Sequence, residues 1–281
     1  RTRMPTMPGA GNVLCVALAA AVLASSTLAD AAAAAADNRR GLLPVPAADI
    51  SLNSTAGTAL LEGASHRLPW VQLSLHFETQ RNQAFCSAAT AAIMLNALNA
   101  QPGAGLAPVD GMYAPYSYYT QRTLFDNTCM GKIPVERKGS TMNAKYMATH
   151  GATLHEWQDY LQCFAPSVKH THASAGTAAQ FRRDVLSAFN GSATSPLRYV
   201  GINFLRTVID EMGGGHMSPI GAYDAATDRV LLLDVSRYKY PPVWSALQQV
   251  YDAMNTTDPA THLSRGWVII GAAADVAAAG E

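Results

Sequence analysis

Residues 80–98 read QRNQAFCSAATAAIMLNAL, and this stretch decides how the rest of the chain is understood. From Cys86 to Leu98 there is no Gly or Pro, and alanine, leucine and methionine dominate, so the run is predicted helical. Asn99-Ala100-Gln101-Pro102-Gly103 stops it. Cys86 would therefore open the helix, where unpaired backbone N–H groups and the positive end of the helix dipole favour a thiolate. Taken alone, such a cysteine is more often an inert core residue packed among alanines. Gln80, six residues upstream, adds an amide that can point at a developing oxyanion beside the nucleophile's own N–H. Far downstream, His216 follows three glycines in GGGHMSPIGAYD, and Asp234 ends the apolar run RVLLLD. Thiol, imidazole and carboxylate in that order are the parts of a thiol-dependent acyl-transfer relay.

Working outward, helical patterns come first and strand patterns last. Ser140 to His150, Leu154 to Phe164 and Thr177 to Phe189 are predicted helices, the second with apolar residues at Leu154, Trp157, Leu161 and Phe164. Arg198 to Phe204, Met217 to Tyr223, Arg229 to Val235 and Gly266 to Ile270 are short β-type runs, with one later helix over Ser245 to Met254. This is an α+β pattern: a helical N-terminal lobe on an antiparallel sheet, with a site expected in the cleft between them. A tight turn at Asp224-Ala225-Ala226 that pairs Tyr223 with Thr227 would set His216 directly opposite Asp234. A one-residue slip would send them to opposite faces. Residues 104–128, rich in tyrosine, read as loop with short helix, and residues 37–70 as a polar surface arm.

Bulk properties narrow the classes. Twenty basic residues balance twenty acidic ones over 281 residues, which argues against an electrostatic nucleic-acid binder. Arg1 and Arg3, the twelve-residue apolar run Val13 to Ala24, and Thr27-Leu28-Ala29 read as an export signal, too short to span a bilayer. The division expected is a signal peptide at 1–29, an arm or linker at 30–70, a catalytic domain at 71–275 and a tail at 276–281. The mature chain would carry no membrane span and would be exported to a periplasm. Removing the leader takes Cys15 and leaves Cys86, Cys129 and Cys163. A Cys129–Cys163 disulfide and three reduced, buried thiols remain equally open from spacing alone. His170 and His172 alternate around Thr171, but no second ligand pair accompanies them. Arg206, Arg237 and Lys239 are cations near the presumed site, suited to substrate carboxylates.

The segments QRNQAFCSAATAAIMLNALNA, NFLRTVIDEMGGGHMSPIGAYDAATDRVLLLDVSRYKYPPVW, AMNTTD and SRGWVII together closely resemble phytochelatin synthase, particularly its short bacterial form. The resemblance implies a papain-like fold acting on glutathione, with Cys86 as nucleophile, His216 as general base and acid, Asp234 orienting it and Gln80 at the oxyanion. Arg206, Arg237 and Lys239 fall at basic positions resembling those implicated in substrate binding. The γ-Glu-Cys acyl group would pass to water or to a second glutathione, with hydrolysis favoured. No tightly bound cofactor or protein metal site is implied; cadmium or zinc would enter as a thiolate complex of glutathione, and a homodimer is compatible. Ser87 replaces the glycine usual after the nucleophile, and Gln83 a nearby proline. The cysteine-rich C-terminal region of plant members is not present in the sequence, which points away from metal-dependent synthesis. Two other readings are a general papain-like peptidase and a non-enzymatic exported thiol protein that binds heavy metals.

Overall fold

The computed structural model describes residues 30–32, 35, 41–101, 107–136, 139–191 and 196–272. The export signal, half of the alanine run at 31–36 and the C-terminal tail lie outside them. Among the described residues seven strands form one antiparallel sheet: β1 (Ile50–Ser51), β2 (Ser167–His172), β3 (Tyr199–Leu205), β4 (Gly215–Asp224), β5 (Arg229–Leu232), β6 (Val243–Ala246) and β7 (Gly266–Gly271). Their spatial order is β1-β6-β5-β4-β3-β7-β2. Helices α1 (Thr55–Gly63), α2 (Leu68–Ser74), α3 (Cys86–Asn99), α4 (Ala144–His150), α5 (Leu154–Leu161), α6 (Ala178–Phe189) and α7 (Leu247–Met254) complete the described architecture. The α+β expectation holds.

Two cores flank the sheet. Tyr199, Met217, Ala222, Leu231, Leu233 and Val268 pack towards α3, while Val200, Ile202, Ile220, Val230, Leu232 and Trp267 pack towards α6 and α7. Every residue of α3 from Cys86 to Leu98 is buried. Its alanines explain this, because a helix apolar all round with short side chains can be enclosed without a polar face. The Cys86 end is held by Thr90, whose Oγ1 donates to the Met217 carbonyl at 3.2 Å.

The stretch from residue 50 is not an irregular arm. β1 pairs with β6, Ser54 caps α1 through the Gly57 N–H, and Pro69 starts α2. Polar composition conceals these elements because each is short and buries only part of its surface. A disulfide joins Cys129 to Cys163 and leaves Cys86 as the free thiol among the described residues. It fastens the aromatic connection before α4 to the end of α5.

The β4–β5 register differs from the tight-turn expectation. Tyr223 pairs with Val230 and Asp224 with Arg229, so the loop holds four residues. Asp224 Oδ2 accepts from the Thr227 N–H at 2.9 Å, and Asp228 adopts a left-handed conformation with φ 51°. A bulge between Ile220 and Ala222 then shifts the pairing so that Ile220 meets Leu232. The bulge moves side chains across the sheet: Ile220 lies in the α6–α7 core and Ala222 in the α3 core, although a regular strand would place both on one face. Counting back by twos from Ile220 gives His216, and counting on from Leu232 gives Asp234. The bulge therefore puts the two side chains on one face. Gly221 sits at its centre, where a Cβ would lie 3.1 Å from the Leu233 methyl groups.

Candidate active site

Cys86 begins α3 behind Phe85, a cap residue with no side-chain hydrogen bond, so the first helical N–H groups have no side-chain partner there. A turn prepares it: Asn82 accepts the Ala84 N–H on Oδ1 and the Phe85 N–H on its carbonyl. Cys86 and His216 line one cavity of about 300 Å³, with Gln83 and Ala84 from the helical half and Asn203, Gly215, Asp258 and Arg265 from the sheet half. His216 is buried and its Nε2 lies 2.9 Å from Asp234 Oδ1. Asp234 thus engages Nε2 of the imidazole and not Nδ1.

Asp234 is the centre of a buried charge cluster. The Ser236 N–H donates to its Oδ1 at 2.7 Å, and Arg206 Nη2 lies 2.9 Å from Oδ1 and 2.7 Å from Oδ2. The other side of the guanidinium contacts Glu211, and its face lies over the Tyr240 ring at 5.5 Å. Despite the cost of burial, His216, Arg206 and the Ser236 N–H hold the Asp234 carboxyl well below the usual range. Glu211 goes the other way: burial pushes it up to about 8, against the pull of Arg206. Two buried carboxylates share one guanidinium, and Asp234 has the additional donors, so Glu211 is the one that takes up a proton.

This has a consequence for stability. A carboxyl with a raised folded-state pKa contributes stability that is complete below its unfolded value and lost as pH rises through about 8. Thermal unfolding midpoints should fall as pH rises from about 4.5 to about 8 and level off above that, and Glu211→Gln should flatten that slope. A parent slope that survives the substitution unchanged contradicts the assignment.

Burial also pushes the Cys86 thiol up, opposed by backbone hydrogen bonds with Met217 and Ser87, and pushes the His216 imidazole down, opposed by Asp234. Both shifts disfavour a resting thiolate–imidazolium pair. The helix terminus alone would suggest a resting thiolate; enclosure of α3 outweighs it.

The basic residues separate. Arg206 is not a surface cation awaiting substrate: it is buried and taken by Asp234 and Glu211. It packs against Gly213, whose φ of 132° and whose closeness to the Arg206 Cδ both require glycine. Arg237 is exposed, stacks over Phe77 at 4.8 Å and lines a different cavity with Trp70 and Tyr240. Lys239 is half-buried, near Gly213. Neither of these two lines the Cys86 cavity among the described residues. Gln80 is buried; its N–H donates to the Val235 carbonyl at 2.9 Å and its Oε1 accepts from Ser236 Oγ at 3.1 Å. Its Nε2 donates to the Asn82 carbonyl at 2.8 Å and to the Tyr238 hydroxyl at 3.0 Å. The glutamine is thus tied to the Asp234–Ser236 segment, with its amide protons engaged. His170 and His172 stand edge to face, and no group of three ligating side chains that could hold a metal occurs among the described residues.

Sequence reasoning missed Arg265 and Asp258. They flank a short hairpin closed by a Thr257–Ser264 bridge, and both line the Cys86 cavity. Arg265 is buried; its Nη1 donates to Thr256 Oγ1 at 3.1 Å and the Thr257 carbonyl at 2.8 Å, while its Nε has no hydrogen-bond partner. Asp258 Oδ2 lies 4.0 Å from Nη2. Burial lowers the Arg265 pKa against the pull of Asp258. A single arginine before a strand glycine carries no distinguishing spacing, so only the folded hairpin reveals it.

An α+β fold with a buried cysteine at a helix start, sharing a cavity with a histidine–carboxylate pair, brings together the parts that a thiol-nucleophile site requires. The chain belongs to the phytochelatin synthase family, whose family model (Phytochelatin synthase) matches residues 41–267. Among curated proteins it is similar to glutathione gamma-glutamylcysteinyltransferase 3 of Lotus japonicus, 33% identical over 199 residues that cover 71% of this chain and 36% of that one. It is also similar to glutathione gamma-glutamylcysteinyltransferase 1 of Triticum aestivum, at 32% identity over 82% of this chain and 42% of that one. The chain thus spans less than half the length of these relatives. Among solved structures, xylellain, a cysteine protease from Xylella fastidiosa, matches at 10% identity with a TM-score of 0.34, covering 69% of this chain and 82% of that one. A likeness that distant carries no argument here.

Proposed function

We propose that this chain is a cysteine-dependent glutathione γ-glutamylcysteinyltransferase-type enzyme, exported from the cell, with hydrolysis as its main outcome. The observation that carries the reading is one cavity walled by Cys86, His216, Arg265 and Asp258. The γ-glutamyl end of glutathione presents an α-carboxylate and an α-ammonium, which call for a cation and an anion side by side. Arg265, with a buried unpartnered N–H, and Asp258 supply them.

In the first step the Cys86 sulfur bonds to the cysteinyl carbonyl carbon as its proton passes to His216 Nδ1. Asp234 stabilises the imidazolium through Nε2. The C–N bond to glycine then breaks, and His216 protonates the departing amine. The Cys86 N–H and the Gln80 amide are the oxyanion donors, the latter exchanging its Asn82 or Tyr238 partner for the substrate. In the second step water or the amine of another glutathione attacks the thioester, the C–S bond breaks, and the proton returns through His216 to sulfur. Cadmium or zinc enters as a thiolate complex of the substrate. Export is supported by the N-terminal sequence and is compatible with the disulfide and with the absence, among the described residues, of a helix long and apolar enough to cross a membrane.

Incubation with glutathione should release glycine and yield γ-glutamylcysteine, and rapid acid quench should trap a γ-Glu-Cys thioester on Cys86 by mass spectrometry. Cys86→Ala should lose both. Cleavage of unrelated peptides with glutathione left intact would replace this reading with a general peptidase.

A further inference from the structure

The Cys86 cavity does not end at His216. Its helical wall includes Thr149 and His150, at the C-terminal end of α4, and these two residues also line a second cavity of about 550 Å³. Along that second cavity lie Ser140, Asn143, Lys145 and Tyr146, and no residue of the Asp258–Arg265 hairpin. The imidazole of His150 is fixed there: its ring stacks on Tyr146 with centroids 4.6 Å apart, and its Nδ1 is 2.7 Å from the Thr149 hydroxyl. Lys145 is exposed and its ammonium forms no ion pair among the described residues.

Acyl transfer needs two subsites that meet at the sulfur. One holds the acyl group and the other the leaving group and then the acceptor. The hairpin claims the first for the γ-glutamyl head. A path over Thr149 and His150 leads on from the Cys86 cavity into the α4 cavity.

Building on the function proposed above, we infer that the α4 cavity is the acceptor subsite, and that Lys145 receives the terminal carboxylate of an incoming γ-glutamyl peptide whose amine reaches the thioester past Thr149 and His150. In the transfer step the acceptor nitrogen bonds to the thioester carbonyl carbon and the C–S bond breaks. The amine proton passes through His216 to the Cys86 sulfur, so no outside reactant is needed. Water needs no such subsite, so Lys145 bears on the choice between acceptors. This differs from the expectation that Arg237 and Lys239 bind substrate, because neither faces these two joined cavities.

The test measures the ratio of transfer product to γ-glutamylcysteine by mass spectrometry, using the full chain. The acceptors are glutathione and glutathione whose glycine carboxylate is converted to the amide. Lys145→Glu should lower the ratio about tenfold with glutathione, Lys145→Arg should restore it, and the amide acceptor should respond little to either change. An unchanged ratio in Lys145→Glu, or an equal fall with the amide acceptor, overturns the placement while leaving glycine release and thioester formation intact as support for the enzyme itself. Absence of the thioester in the parent protein would instead overturn the underlying function and this subsite with it.

Discussion

Asp234→Asn should reduce glycine release from glutathione by about three to four orders of magnitude, the scale seen when a relay carboxylate is made neutral with its shape kept. The reason lies in donor counting. Three donors converge on this carboxylate: His216 Nε2–H, the Ser236 N–H and Arg206 Nη2. Asparagine offers one acceptor oxygen and an NH₂ that must face a donor. If the NH₂ takes the Oδ1 place, the imidazole and the Ser236 N–H both lose their acceptor; if the amide oxygen keeps it, the NH₂ at the Oδ2 place faces the Arg206 guanidinium. Single-turnover measurement of glycine release decides it, with circular dichroism to establish that the variant is folded. Activity within tenfold of the parent would remove Asp234 from the relay.

Arg206→Met should cost about 3–5 kcal/mol of stability, because removing one member of a buried charged group strands the rest. Both Asp234 and Glu211 would lose their shared cation in a region closed to solvent. Adding Glu211→Met should recover part of that loss by removing the second buried carboxyl left without its partner. It should not recover activity, since Asp234 would still lack the guanidinium that holds it towards His216. Denaturant unfolding of the two variants and the parent, with glycine release measured on each, separates the effects. An Arg206→Met protein of parental stability would show that the guanidinium does not hold this cluster together. This role is positional: Arg206 acts through Asp234 and does not face the Cys86 cavity.

The site was partly legible beforehand because its chemistry sits on elements with strong local signals. The alanine-rich helix from Cys86 and the β runs at 199–205, 215–224 and 266–271 lie close to their expected positions. Thr177 caps α6, and Thr153 and Glu156 form a capping box on α5, both local features that fix helix starts. β1, β2 and β6 were not anticipated, because short strands at or near a sheet edge need a neighbour more than a pattern. The β4–β5 loop was misjudged because Asp224 and Asp228 build a four-residue turn by side-chain bonding and left-handed backbone, which hydrophobic alternation does not report.

Residue order already contained the nucleophile, the imidazole, the carboxylate and the helix that presents the sulfur, since these depend on chemical type and local periodicity. Folding alone decided that a bulge at Gly221 would bring His216 and Asp234 to one face, that Arg206 would be spent inside, and that Arg265 and Asp258 would close the cavity. Those outcomes depend on pairing register and on burial, which arise between segments far apart in the chain and so leave no mark on either segment.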